Sequence, residues 1–144
     1  MASANGPARV LVVDDSVTVR RSAELFLQQG GYEVVLAEDG FDALAKVGQH
    51  RPDLIFCDVM MPRLDGYQTC AILKQCATYA NIPVVMLSSK DGVFDKARGK
   101  IAGAADYLTK PFSKKEILFA AASSTMPMVV GSGGSYADTK NSDR

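Results

Sequence analysis

This chain of 144 residues is poor in several of the residue patterns that would mark other kinds of protein. It has one histidine, His50, which stands beside Arg51-Pro52, reads as a loop residue and has no partner for a catalytic triad. Its three cysteines, Cys57, Cys70 and Cys76, form no CxxC pair, and an odd count argues against both a zinc site and a disulfide framework. Cys57 ends an apolar run. Cys70 and Cys76 lie six apart in a helical segment, on different faces, so all three read as buried or half-buried thiols. Sixteen basic residues balance sixteen acidic ones, and no Lys/Arg run exceeds two. Nucleic acid or an anionic membrane as the main partner would need a basic face, and none is legible. No apolar stretch approaches the roughly 20 residues of a membrane span. The opening MASANGPARV has no charged region followed by an apolar one, hence no export signal, and a cytoplasmic protein without membrane insertion is expected.

What the chain does have is a core's worth of apolar residues, 47% against 22% charged, arranged as one domain. Short runs rich in Val, Ile and Leu alternate with amphipathic segments. The strands are expected at 10–13, 33–37, 53–57, 82–87 (entered through Pro83) and 105–108. The helix over 16–29 sets Val19, Ala23, Phe26 and Leu27 on one face and Arg20, Glu24 and Gln28 on the other. Ser16 is its N-cap and Gly30-Gly31 its stop. A second helix carries Phe41, Leu44 and Val47 inward and ends near Gly48, and a third spans 65–77. The fourth, 92–101, buries Val93, Ala97 and Ile101. Ser113 caps a fifth with Ile117, Leu118, Ala121 and Ala122. Five strands interleaved with five helices imply right-handed crossovers and a doubly wound α/β parallel sheet, flavodoxin-like, in the order 2-1-3-4-5. From Pro127 the periodicity stops and Gly and Ser cluster. Residues 127–144 are therefore expected to be a flexible tail, 1–7 a flexible start, and 8–126 a single module without an output domain.

Four charged groups stand where apolar runs end. Asp14-Asp15 follow VLVV, Asp58 follows LIFC and Lys110 follows AADYLT. In an open parallel sheet the carboxyl ends of the strands line the ligand crevice, and the switch point of this order lies between strands one and three. Three carboxylates at one rim repel, so either their pKa values rise or a cation neutralises them. A hard divalent ion with oxygen ligands fits, Mg²⁺ first. Asp58 then becomes a nucleophile toward phosphorus. Lys110 adds positive charge, and Ser88, ending VVMLSS, offers a hydroxyl to a phosphoryl oxygen. Singly, an Asp at a strand end is a turn or cap residue and a Lys before Pro a solvated charge; their joint placement at three strand ends is what marks a site.

Those blocks, VLVVDDS, CDVMMPRLDGY, PVVMLSS and YLTKPFS, resemble the receiver domains of two-component response regulators over about residues 8–125, in order and at the usual spacing. The resemblance implies that Asp58 is the phosphoacceptor. It implies that Asp15, Asp58 and the backbone carbonyl of Met60 bind Mg²⁺, with Asp14 helping, often through water. Ser88 becomes the switch hydroxyl, Lys110 the phosphate-contacting lysine, and Tyr107 the aromatic that turns inward on activation. The Lys110-Pro111 bond is often cis in such domains. Ser stands at 88 where Thr is commoner. MPRLDGYQTC, MLSSKDGVFDKARGKIAG and YLTKPFSKKE are similar to regulators of type IV pilus chemosensory systems, which govern twitching motility and phototaxis.

The resemblance implies a phosphoacceptor switch rather than an enzyme with turnover. A histidine kinase or histidine phosphotransfer domain would be the donor. A changed surface of helix four, strand five and helix five would meet a downstream target such as a pilus motor or assembly component. Lys90, Asp91, Phe94, Tyr107, Lys114 and Phe119 are the candidate readout residues. Other classes stay open at this stage. A haloacid-dehalogenase-type phosphohydrolase also uses an aspartate after a strand but needs a second Asp two residues on, where Met60 stands. A dinucleotide- or flavin-binding domain shares the architecture but needs the GxGxxG that strand one lacks. A constitutive scaffold of the pilus or chemosensory machinery would need neither.

Overall fold

The computed structural model describes residues 6–89 and 93–125, with nothing said of the side chains of 93–95. The two expected flexible ends therefore lie almost wholly outside the described residues. Five parallel strands, β1 (Arg9–Val13), β2 (Glu33–Ala37), β3 (Leu54–Asp58), β4 (Val84–Ser88) and β5 (Asp106–Thr109), form one sheet in the order β2-β1-β3-β4-β5. They alternate with α1 (Val17–Gln29), α2 (Gly40–His50), α3 (Gly66–Gln75), α4 (Val93–Ala102) and α5 (Lys114–Thr125). The doubly wound α/β arrangement and its strand order are those expected from the alternation of patterns.

Side chains alternate across each strand, so the sheet carries two cores. Val10, Val12, Leu54, Phe56, Val85 and Leu87 pack with Ala23 and Leu27 of α1 and Ile117, Ala120 and Ala121 of α5. Leu11, Val13, Ile55, Cys57, Val84 and Met86 face α2 and α3, meeting Ala43, Val47, Cys70 and Leu73. The central strands β1, β3 and β4 are buried along nearly their whole length, which is why they read as unbroken apolar runs rather than alternating ones.

Several helix faces differ from expectation. In α2, Phe41 is 52% exposed and stacks under the Arg63 guanidinium; the inward stripe is Gly40, Ala43 and Val47. α2 also runs on to His50 and closes through Arg51 in the left-handed region, so His50 ends a helix rather than sitting in a loop. In α4, Ala97 is exposed and Ile101 is 87% exposed, whereas Gly99 is buried, with a would-be Cβ 3.5 Å from Met86. Gly99 faces the sheet and Ile101 turns out, and the expected burial of Val93 lies outside the described side chains. Ala122 of α5 is likewise exposed, the stripe being Ile117, Ala120 and Ala121. Strand β3 starts one residue late because Asp53 serves as a clasp. Its N–H donates to the Arg9 carbonyl (2.7 Å), and its carboxylate accepts from the Arg9 N–H (2.8 Å). In exchange β3 continues through Asp58, which pairs with Leu87 of β4.

Candidate functional site

Local structure sets each functional side chain before any long-range contact does. The ladder of β1 ends at Val13 opposite Ala37, and the Asp14 N–H still donates to the Ala37 carbonyl (3.2 Å). That leaves the Asp14 side chain pointing off the strand end, fully buried. There its Oδ1 accepts from the Ser16 N–H (2.9 Å). Ser16 caps α1 by accepting from the Val19 N–H (3.3 Å), so the start of the helix and the placement of Asp14 are coupled. Arg20, expected on the outer face, instead folds back and donates from Nη1 to the Asp14 carbonyl (2.6 Å). Asp15 points outward and is exposed.

Asp58 is placed by β3 and held from behind by α3. The Val59 N–H donates to the Leu87 carbonyl (2.9 Å), and the Gly66 N–H to the Val59 carbonyl (3.0 Å). A Cβ at Gly66 would run into the Asp58 carbonyl, so only glycine lets α3 begin this close to the strand end. Asp65 caps α3 in a reciprocal box with Gln68. Above the strand, the Met60 N–H donates to Asp58 Oδ1 (3.3 Å), while the Met60 side chain is 73% exposed.

The remaining members arrive from β4 and β5. Ser88 ends β4, buried, beside Thr109 in the ladder, and its carbonyl accepts from the Lys110 N–H (2.6 Å). Lys110 then sends its Nζ back over the sheet to two carboxylates at once, 3.0 Å from Asp14 Oδ2 and 3.1 Å from Asp58 Oδ1. The Lys110-Pro111 peptide is cis. Tyr107 is half-buried on β5 with Lys96 Nζ 5.7 Å from its ring centroid.

The electrostatics follow from this geometry. Burial, and then the Asp14 carboxylate, push the Asp58 carboxyl up to about 6, against the opposing pull of Lys110 and the Met60 N–H. Burial would lower Lys110, yet hydrogen bonds to Asp14 and Asp58 and their charges outweigh it and raise its pKa. Burial also raises Cys57 and, less, Cys70, leaving both as core thiols. Oxygens of Asp14, Asp15 and Asp58 lie within 4.8 Å of one another, close enough to share one cation. Three carboxylates against one ammonium leave a negative balance. The donor set is all oxygen, which suits a hard divalent ion.

The expected residues therefore meet at one rim: Asp14, Asp15, Asp58, Ser88 and Lys110, with Met60 at its edge. Tyr107 lies on the adjacent strand. Lys90 and Asp91 fall outside the described residues, as does the side chain of Phe94; Lys114 and Phe119 are exposed on α5. Arg20 and the Ser16 N–H are site residues that pattern reading missed, since each acts through a local bond to Asp14 that helical periodicity does not signal.

Known proteins resemble this chain in sequence and in fold. Protein PilG of Pseudomonas aeruginosa is 59% identical over 110 residues, 76% of this chain and 82% of that protein. Response regulator MprA of Mycobacterium sp. (strain KMS) is 46% identical over 112 residues, but the chain spans only 48% of its length. The chemotaxis protein CheY4 of Vibrio cholerae superposes with a TM-score of 0.80 at 36% identity, covering 83% of this chain and 99% of that one. The family model for the response regulator receiver domain matches residues 10–122, from the second residue of β1 into α5 and across every strand-end residue described above. The chain belongs to the response regulator receiver domain family.

Proposed function

We propose that this receiver, over residues 8–126, takes a phosphoryl group onto Asp58 from a histidine kinase or histidine phosphotransfer domain in the cytoplasm, with Mg²⁺ in place, and then switches a partner of the type IV pilus machinery. The observation that carries the reading is the buried Asp58, pushed up to about 6 and held within 3.1 Å of Lys110 at the mouth of a three-carboxylate cluster. The uncompensated charge of Asp14, Asp15 and Asp58 fits Mg²⁺, with the Met60 carbonyl as a fourth protein oxygen. A bound divalent ion supplies positive charge that keeps Asp58 ionised and offsets charge on the incoming phosphoryl oxygens.

The chain's own groups do the rest. Asp58 Oδ1 already takes donors from Lys110 and Met60, so Oδ2 is the oxygen free to attack. The bond from phosphorus to the donor's imidazole nitrogen breaks as the bond to Oδ2 forms, and the imidazole keeps the electron pair. Lys110 swings its ammonium from the carboxylates to the new phosphoryl oxygens, and Ser88 donates its hydroxyl to another. The phosphoryl group carries roughly one and a half to two negative charges and replaces the single charge of the Asp58 carboxylate, so the site gains about one. The movement of Ser88 opens space into which Tyr107 turns, changing the surface of α4, β5 and α5. The pilus assignment is supported by the MPRLDGYQTC and YLTKPFSKKE blocks and by the 59% identity to PilG. It is tested by mixing the protein with an autophosphorylated histidine kinase of a pilus chemosensory system. Label should pass to wild type and not to Asp58→Asn, and Asp58→Asn should fail to restore twitching to a deletion strain. Full restoration by Asp58→Asn would favour a scaffold instead.

A further inference from the structure

Two of the loops that build the rim are tied to each other by residues outside the carboxylate cluster. The β3–α3 loop, 59–65, carries the Met60 carbonyl. Its inner side is fixed by the bond from the Gly66 N–H to the Val59 carbonyl (3.0 Å) and by Met61, which is buried in the core. Its far end turns sharply at Arg63, whose φ of 69° is a left-handed conformation that a long side chain seldom adopts. The Leu64 N–H donates across that residue to the Pro62 carbonyl (2.8 Å), which makes the turn a γ-turn of the strained kind. Such strain persists where the surrounding structure over-determines it.

Here the surrounding structure is the β2–α2 loop. Asp39 caps α2 with Oδ1, which accepts from the Asp42 N–H (2.7 Å), and its Oδ2 accepts from Arg63 Nη2 (3.0 Å). The same guanidinium lies 5.2 Å from the centroid of the Phe41 ring. Between them Gly40 leaves no room for a Cβ, which would meet the Leu64 carbonyl at 2.8 Å. Asp39 and Arg63 thus join the loop after β2 to the loop after β3, across the end of β1 that carries Asp14.

We infer that Arg63 and Asp39 are positioning residues for the metal: their clasp holds the strained turn of the β3–α3 loop, and through it the Met60 carbonyl, ready for Mg²⁺. The inference rests on the proposed Mg²⁺ site. A guanidinium near that site repels a cation, so what Arg63 adds to Mg²⁺ binding comes through the loop and not through its field. The Arg63 side chain is 66% exposed, and an ion pair so exposed adds little to global stability. Its loss is felt in the geometry of the loop.

The test uses the full-length chain, isotope-labelled for amide NMR, as wild type, Asp39→Asn, Arg63→Ala and the double variant. Asn keeps an oxygen to cap α2 and removes only the charge. All should melt within about 3 °C of wild type. In the metal-free protein the Leu64 amide should exchange with deuterium about five-fold faster or more in each variant, because the turn is no longer held. Titration with Mg²⁺ should show affinity lowered about three- to ten-fold in each single variant, with the double no weaker than the weaker single. A pure field effect has the opposite pattern: losing Asp39 weakens Mg²⁺ binding and losing Arg63 tightens it. Tighter binding by Arg63→Ala, additive losses, or Leu64 exchange unchanged from wild type would overturn the clasp. Asp58→Asn separates the two readings. If wild type takes no Mg²⁺, or Asp58→Asn takes it as tightly, the metal site itself fails and this inference with it, even where Leu64 exchange responds as expected.

Discussion

Replacing Asp58 by Asn should make the metal-free protein more stable. Asp58 is 3% exposed, and its carboxyl stands at about 6 instead of the ordinary 3.8. Its negative charge is therefore disfavoured by the fold by about 3 kcal/mol near neutrality. The direction with pH follows from the raised value. Above about 6 the folded chain holds the ionised form and carries the whole penalty. Below 3.8 folded and unfolded chains are both protonated and the penalty is gone. Relative to Asp58→Asn, wild type should gain stability as pH falls from about 6 to about 4. Asn keeps the shape and an Oδ1 that accepts from the Met60 N–H and Lys110 but gives Lys110 no opposite charge, leaving it the Asp14 carboxylate at 3.0 Å. A net gain of about 1–3 kcal/mol is then expected near neutrality, or about 4–10 °C in melting temperature for a domain of this size. Thermal melts of both proteins, free of divalent ions, across that pH range are the assay. Saturating Mg²⁺ should narrow the gap from the wild-type side, because it binds the carboxylates only in the folded state. Equal melting temperatures near neutrality, or a less stable Asp58→Asn, would refute the charge-strain reasoning.

Other consequences can be checked singly. Lys110→Ala removes the one ammonium bonded to both buried carboxylates, so Asp58 should titrate above about 6, read by carboxyl carbon NMR, and Mg²⁺ binding should become more pH-dependent. Gly66→Ala drives a Cβ into the Asp58 carbonyl and should destabilise by about 2 kcal/mol or more in a denaturant melt. Arg20→Ala frees the Asp14 carbonyl and should reduce Mg²⁺ affinity while leaving the melting temperature within about 2 °C of wild type, as suits a half-exposed group.

The strand order and the meeting of Asp14, Asp58 and Lys110 were legible in the sequence because buried parallel strands are short, apolar and sharply bounded. A charge that follows such a run has only the sheet's rim to occupy. Helix faces were less legible. Spacing of three and four finds an apolar stripe, but in α4 two stripes compete, and the one bearing Gly99 lies on the sheet because a small residue allows closer packing. Ile101 is then left outside. Phe41 was misplaced for a related reason: Gly40 sits so tightly against Thr69 and Leu64 that α2 turns its aromatic outward, onto Arg63. The two hydrogen bonds that Lys110 donates to Asp14 and Asp58, and the grip of Arg20 on the Asp14 carbonyl, depend on side-chain conformations that no residue pattern encodes.

The central claim, that Asp58 is a metal-assisted phosphoacceptor, is tested most directly by intact mass after incubation with acetyl phosphate, for wild type and Asp58→Asn, with and without Mg²⁺. The account predicts one added phosphoryl group, only on wild type and only with Mg²⁺. Equal gain on Asp58→Asn, or gain on wild type without any divalent ion, would contradict it.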